Sequence, residues 1–291
     1  MYQENQGNFG TDLAAERRQA DTDIAGVEFR REDFGAVALE RITVSSEEGA
    51  RALGRPQGHY HTLTTGRMET LGEEEKQQAA EILADLISEM SDALLPGYPM
   101  HVLTVGLGNA ALTADAVGPL TCQKIPATRH IAKEEPEIFR ALDCTEVSVL
   151  TPGVSAQSGM DAADVVDAVA GRTKPDLLIV VDALAARATE RLGTTVQISD
   201  TGIMPGSGVG NHRQALTEED LGIPVLVLGV PTVTDSRVFI YEEAARRGMA
   251  WEPTEREAPG MFVSPKEIGD IVSCASDILS SAINRVFGVL T

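Results

Sequence analysis

Five consecutive apolar residues, Leu177-Leu178-Ile179-Val180-Val181, run directly into an aspartate, Asp182, and then into the alanine-rich stretch Ala183-Leu184-Ala185-Ala186. A short, continuous, β-branched run of this kind reads as a strand buried on both faces, the signature of a parallel sheet covered by helices. It also delivers a carboxylate to the end of a buried strand. There a charged group must be paired, metal-bound or protonated.

Three further runs repeat the pattern. His101–Val105 is apolar and ends in Gly106-Leu107-Gly108-Asn109; Val147–Leu150 ends in Thr151-Pro152-Gly153; Pro224–Val230 leads to Pro231-Thr232. Helical stretches alternate with them. Glu73 to Leu95 carries Ala79, Ile82, Leu83, Leu86, Ile87 and Met90 at three- and four-residue spacing, and Pro96-Gly97 ends it. Asp161 to Gly171 is a second helix, and Pro265 to Phe287 is amphipathic through Ile268, Ile271, Val272, Ala275, Ile278, Leu279 and Ile283. A strand is expected over Ala36–Val44. Residues 1–35 are polar and read as an extended or loosely attached segment. Strands alternating with helices predict an α/β fold with a largely parallel sheet. No internal repeat or low-complexity linker divides the chain, so a single domain is expected.

The 291 residues are 43% hydrophobic and 23% charged, the balance of a globular protein, with a formal net charge of −20. So acidic a surface repels phosphate backbones and anionic lipid, so neither direct nucleic-acid binding nor membrane binding is expected. Cys122, Cys144 and Cys274 form no CxxC pair and read as buried small hydrophobes in a reduced compartment. The first residues lack a basic and an apolar signal region, and no run is long enough to span a bilayer. The expectation is a soluble, cytoplasmic protein.

Sites in open α/β sheets form at the carboxyl ends of strands. That rule selects the loop 106–115 with Asp115, the segment 182–187 with Asp182, and the segment 231–235 with Asp235. On spacing alone Asp182 serves equally as a helix N-cap and Asp115 as a turn residue ahead of Gly118-Pro119. Gly106-x-Gly108 lacks the third glycine of a dinucleotide fingerprint, and the stretch 202–211 lacks both the Gly-Lys-Ser/Thr of a P-loop and a nucleophile elbow. His59-Tyr60-His61 has no third ligand at motif spacing, and reads as a strand surface rather than a metal pair. No cofactor or metal is expected. The residues by themselves support an α/β protein with two or three strand-end carboxylates and hydrolytic chemistry.

At these same loops the chain resembles the germination protease family. The motifs are Gly106-Leu107-Gly108-Asn109 with Thr113-Ala114-Asp115-Ala116-Val117-Gly118-Pro119, Thr151-Pro152-Gly153-Val154, and Val181-Asp182-Ala183-Leu184-Ala185-Ala186-Arg187. They continue through Gln197-Ile198-Ser199-Asp200-Thr201-Gly202-Ile203, Pro205–Asn211, Gly229–Asp235 and Val263–Ile268, with Thr11-Asp12-Leu13-Ala14 near the amino terminus. In the family proline is common where Ala114 stands here. Its longer members also insert a segment where this chain has only Ser236 to Val263.

What the resemblance implies is an endopeptidase made as a self-processing zymogen, assembled as a homotetramer, and acting in the spore core on small acid-soluble spore proteins. The implied fold is a three-layer, mostly parallel sheet flanked by helices, similar to the hydrogenase maturation proteases. Residues 1–12 would be a propeptide, cut between Asp12 and Leu13, and 13–291 the peptidase domain. The implied catalytic pair is Asp115 and Asp182, one ionised to activate water and the other protonated to polarise the scissile carbonyl. Arg187 and the glycines Gly206, Gly208 and Gly210 are expected to position substrate. Two alternatives remain at this point: a metal-dependent maturation-type peptidase, and a non-catalytic peptide-binding module.

Overall fold

The computed structural model describes residues 11–17, 24–97, 101–205, 214–249 and 261–288. Among these, nine strands form one sheet: β1 (Val27–Phe34), β2 (Val37–Val44), β3 (Gly58–Thr64), β4 (His101–Gly106), β5 (Glu146–Leu150), β6 (Leu177–Ala186), β7 (Thr195–Ser199), β8 (Val225–Asp235) and β9 (Phe262–Val263). Their order is β1-β2-β3-β7-β8-β6-β4-β5, with β9 added alongside β8.

The expected α/β architecture is present, with helices on both faces, and the sheet is mixed. Strands β8, β6, β4 and β5 are mutually parallel. Strands β7, β3, β2 and β1 continue the sheet antiparallel, and β9 is antiparallel to β8. The parallel half is the part that the apolar runs announce, since it is buried on both sides. The antiparallel half alternates: β2 buries Val37, Leu39, Ile42 and Val44 and leaves the residues between them partly open.

One face of the sheet is closed by the helices Glu73–Leu94 and Ile268–Phe287. Glu73, Glu74 and Glu75 occupy the first turn of the former, where carboxylates complement the helix dipole, and Glu75 accepts a hydrogen bond from the Gly72 N–H at 2.8 Å. Leu83, Leu86, Ile87, Ile278, Leu279 and Ile283 from the two helices meet Ile179, Val181, Leu226 and Leu228 of the sheet in one core. Each such side chain contributes about 1.5–3 kcal/mol by leaving water. The opposite face packs Leu178, Val180, Val225 and Val227 against the helix Ala162–Thr173, which Asp161 caps by accepting from the Ala163 N–H.

Two expectations about the segment 1–35 are corrected. Val27–Phe34 is a strand although nearly all its side chains face solvent, because its main chain pairs residue for residue with β2. Thr11–Ala14 is not loosely attached: Leu13 and Ala14 are 0% exposed. Residues 1–10 lie outside the described residues. Strands β6 and β8 also run on through what reads in sequence as loop, β6 to Ala186 and β8 to Asp235, each pairing with the other along the extension.

Candidate functional site

Asp182 is therefore a strand residue and not a helix cap. It is 6% exposed, it lies opposite Gly229 of β8, and its Oδ1 accepts a hydrogen bond from the Ala183 N–H at 2.8 Å. The pairing register shifts between Leu184 and Ala185, a bulge of the kind that re-aims side chains beside functional sites.

The loop after β4 brings Asp115 against the same strand. The Leu107 N–H donates to the Val181 carbonyl at 2.9 Å, continuing the β4–β6 seam to the residue before Asp182. Gly118 then sits so close that a Cβ on it would fall 2.3 Å from the Leu107 oxygen and 2.5 Å from the Val181 oxygen. Only a glycine lets the helix Val117–Cys122 start on top of the two strand ends. Asp115 lies three residues earlier, at the end of a 3₁₀ turn that packs against β6 and β8. Its carboxylate is fixed by the loop it belongs to, accepting from the Asn109 N–H at 2.8 Å. Gly108, at φ 109°, permits that closure, since a Cβ there would be 2.1 Å from the Asp115 carbonyl oxygen. The turn role expected for Asp115 and its place at the strand end are thus both present.

Over the same end of β6 lies the chain's own amino-terminal segment. The Asp12 N–H donates to the Ala185 carbonyl at 3.0 Å, and the Asp12 carboxylate accepts from the Ala185 N–H at 2.9 Å. The side-chain amide of Gln197, 7% exposed on β7, spans the next residue. Its Nε2 donates to the Asp12 carbonyl at 3.0 Å and its Oε1 accepts from the Ala14 N–H at 2.8 Å. Leu13 between them is enclosed by Leu184, Ala186, Leu192 and Ile203. Arg55 donates to the Thr11 carbonyl at 2.6 Å, and Glu16 accepts from the main-chain N–H groups of Arg187 and Ala188 at 2.6 and 2.8 Å. Beside Asp12 opens a cavity of about 300 Å³, lined by Tyr60, Leu184, Gln197, Ser199 and Met204 among others.

The other sequence expectations resolve individually. Asp235, the third strand-end aspartate, caps the helix Ser236–Arg246 and is bound by Arg237; that hydrogen bond above all holds its carboxyl below the usual carboxylate range. Its role is structural. Arg187 contributes its main-chain N–H to Glu16. Gly206, Gly208 and Gly210 lie outside the described residues. Cys122 and Cys274 are buried, and burial pushes their thiols up to about 12 and about 11. Cys144 is half-buried and its thiol is also raised, chiefly by burial. His59 lies on the strand surface as expected, hydrogen-bonded to Asp200 at 2.6 Å. His61 does not: it is 4% exposed and burial pulls its imidazole down to about 4. Among the described residues no three His, Cys, Asp or Glu side chains gather as a metal site.

Gln197 is not singled out by the sequence, where it stands only inside a motif. Its signal was an amide in the strand Thr195–Ser199, all of whose residues are buried, where a polar side chain must find partners.

A buried aspartate within a central strand, a second acidic residue on a glycine-hinged turn packed against that strand, and the chain's own extended segment clasped beside its last residues describe an α/β protein that holds a stretch of peptide along its sheet. Comparison with known proteins makes the class specific. The germination protease family profile matches residues 7–246. A germination protease of Caldanaerobacter subterraneus subsp. tengcongensis is 42% identical over 234 residues, covering 80% of this chain and 71% of that protein. One from Clostridium perfringens is 33% identical over 310 aligned positions, covering 95% and 94%. Among solved structures, a [NiFe] hydrogenase maturation protease HycI from Thermococcus kodakarensis covers 64% of this chain and 94% of its own, at 18% identity and a TM-score of 0.35. The chain is a peptidase, and it belongs to the germination protease family.

Proposed function

We propose that this peptidase is an endopeptidase that opens the degradation of small acid-soluble spore proteins at germination, with Asp115 and Asp182 as its catalytic pair. The observation that carries the reading is the gathering along the carboxyl-terminal half of β6 of Asp182, the Asp115 loop and an extended Thr11–Ala14 segment held largely through its own main-chain atoms. A protease cleft recognises its substrate in this way, as an extended chain whose backbone is bound and whose alternate side chains enter pockets.

In the proposed reaction one carboxylate takes a proton from water while the other, protonated, supports the scissile carbonyl. No covalent intermediate forms. The chain is made as a zymogen, residues 1–12 are its propeptide, and cleavage falls between Asp12 and Leu13. It works as a homotetramer in the spore core. The register puts Asp12 opposite Ala185, three residues past Asp182, a step of roughly 10 Å along β6. The Asp12 carbonyl is held by Gln197, which lies in the row of Asp182 across Gly229.

Incubating the pure protein with one purified small acid-soluble spore protein tests the reading. Discrete fragments ending at an acidic residue followed by a branched aliphatic support it, with none from Asp182→Asn. An intact substrate after prolonged incubation with wild-type protein overturns it.

A further inference from the structure

The Gln197 side chain makes two hydrogen bonds that no backbone pairing requires. Its Nε2 donates to the carbonyl oxygen of Asp12, and its Oε1 accepts from the Ala14 N–H. The carbonyl it holds belongs to the Asp12–Leu13 peptide, the bond expected to be cut. Asp182 and Gln197 lie in one row on the same face of the sheet, since both pair with Gly229. Two strand spacings put their Cα atoms about 10 Å apart, and the residue between them has no side chain.

We propose that Gln197 is a catalytic residue of this peptidase: its Nε2–H is the donor that stabilises the oxyanion of the substrate carbonyl. The inference rests on the reading that Thr11–Ala14 is bound as substrate is bound. Water attacks the carbonyl carbon of the acidic residue and gives a proton to the ionised aspartate. The carbonyl π pair moves onto oxygen, which becomes the anion beside Gln197 Nε2. Collapse re-forms the carbonyl and expels the amine nitrogen, which takes a proton from the acidic partner. The products are a carboxylic acid, which ionises, and a free amine.

An amide suits this task. It donates to the oxyanion without carrying a charge that would pair with Asp182, and its position is fixed before reaction by the second bond, to the N–H two residues on. The surroundings select the sequence at the same place. The Ala185 N–H receives the acidic side chain of Asp12, and Leu184, Ala186, Leu192 and Ile203 enclose the branched aliphatic side chain of Leu13. Substrates of this site are peptides with an acidic residue, then leucine or a similar branched residue, then a residue whose N–H is free to bond.

Two variants of the full chain test the role. Gln197→Met keeps the volume and loses both bonds; Gln197→Glu keeps an acceptor for the residue-14 N–H and loses the donor. Self-processing and hydrolysis of an added Asp-Leu-Ala peptide are measured for each, with kcat and KM separated. Removal of one such donor lowers kcat about 100-fold or more, and KM is expected to stay within about threefold. Wild-type protein that cuts while both folded variants stay within threefold of its kcat overturns the assignment alone. So does a loss confined to KM, which marks Gln197 as a binding clamp. Should Gln197→Met not fold, the Gln197→Glu result decides. Wild-type protein that cuts neither target overturns the functional reading and this assignment with it.

Discussion

Asp182 and Gln197 face each other across Gly229, which pairs with both and leaves the floor between them without a side chain. Leu184 leans over that gap, and a Cβ on Gly229 would come within 2.4 Å of its Cδ1. Gly229→Ala should therefore push Leu184 out of the seat of Leu13. Overpacking of this kind costs about 1–3 kcal/mol. Thermal unfolding should register the loss, and limited proteolysis should cut near residue 13 sooner than in wild type. Unchanged melting and cleavage would show that Leu184 turns aside without cost.

Asp115→Asn and Asp182→Asn should each lower peptide cleavage by about 10³-fold or more while the fold persists, because paired catalytic groups act as a unit. Asn retains an oxygen that can accept from the Asn109 or Ala183 N–H, so these hydrogen bonds are not the test. The measurement is kcat/KM for a spore-protein peptide, beside circular dichroism of each variant. Appreciable turnover by either would leave the pair without its role.

Processing should produce a new amino terminus at Leu13 in wild-type protein and none in Asp182→Asn. Since Glu16 ties the segment to Arg187 and Ala188, Glu16→Ala should free it, removing hydrogen bonds to a charged group together worth about 1.5–3 kcal/mol or more. Hydrogen exchange at the Arg187 and Ala188 amides should quicken accordingly. Amino-terminal sequencing that finds equal clipping in the Asp182→Asn chain would point to a contaminating protease.

Acid should weaken the fold through His61. Buried among Arg41, His59 and Glu89, it titrates near 4 in the folded chain against an ordinary 6.5. Between those values the unfolded chain holds a proton that the native one refuses. Stability from neutral His61 is complete above pH 6.5, declines as pH falls toward 4, and levels off below. The full change is roughly 3 kcal/mol at most. Denaturant titrations at intervals from pH 7 to 4 should show this slope in wild type and a flatter one in His61→Phe.

Chelation and thiol alkylation should leave activity standing. With thiols raised to about 12 and about 11, Cys122 and Cys274 hold almost no thiolate at neutral pH. Peptide hydrolysis after extensive EDTA dialysis, and after iodoacetamide under native conditions, is the check. Loss to EDTA with recovery on one divalent ion would transfer Asp115 and Asp182 to a metal-dependent mechanism.

The parallel half of the sheet was legible because strands covered on both faces have to be apolar throughout, as Leu177–Val181 and Val225–Leu228 are. β1 was not: Glu28, Arg30, Arg31, Glu32 and Asp33 carry no burial signal, and only pairing with β2 makes it a strand. The continuation of β6 through Ala183–Ala186 was hidden for a different reason. Alanine has little strand preference, and the extension exists because β8 runs beside it as far as Thr234. Asp115 and Asp182 could be picked out as strand-end carboxylates, but the packing of the Asp115 turn against β6 depends on the absent Cβ of Gly118, a contact across chain segments. The anchoring of Leu13 was invisible, since its partners Leu184, Leu192 and Ile203 lie far along the chain.

The pairing of β4 with β6 stops at Gly106 and Val181, yet β6 runs on to Ala186. The strand therefore outlives its neighbour on that side, and at Ala185 the lodger in the vacancy is Asp12, which supplies both an acceptor and a donor. In a chain cut after Asp12, that lodger is free to leave, and Ala185 would trade two protein hydrogen bonds for water. An arriving peptide with an acidic residue restores both. Binding then becomes an exchange of tenants at one address, with the affinity for each peptide set against that of the departing segment for the same berth.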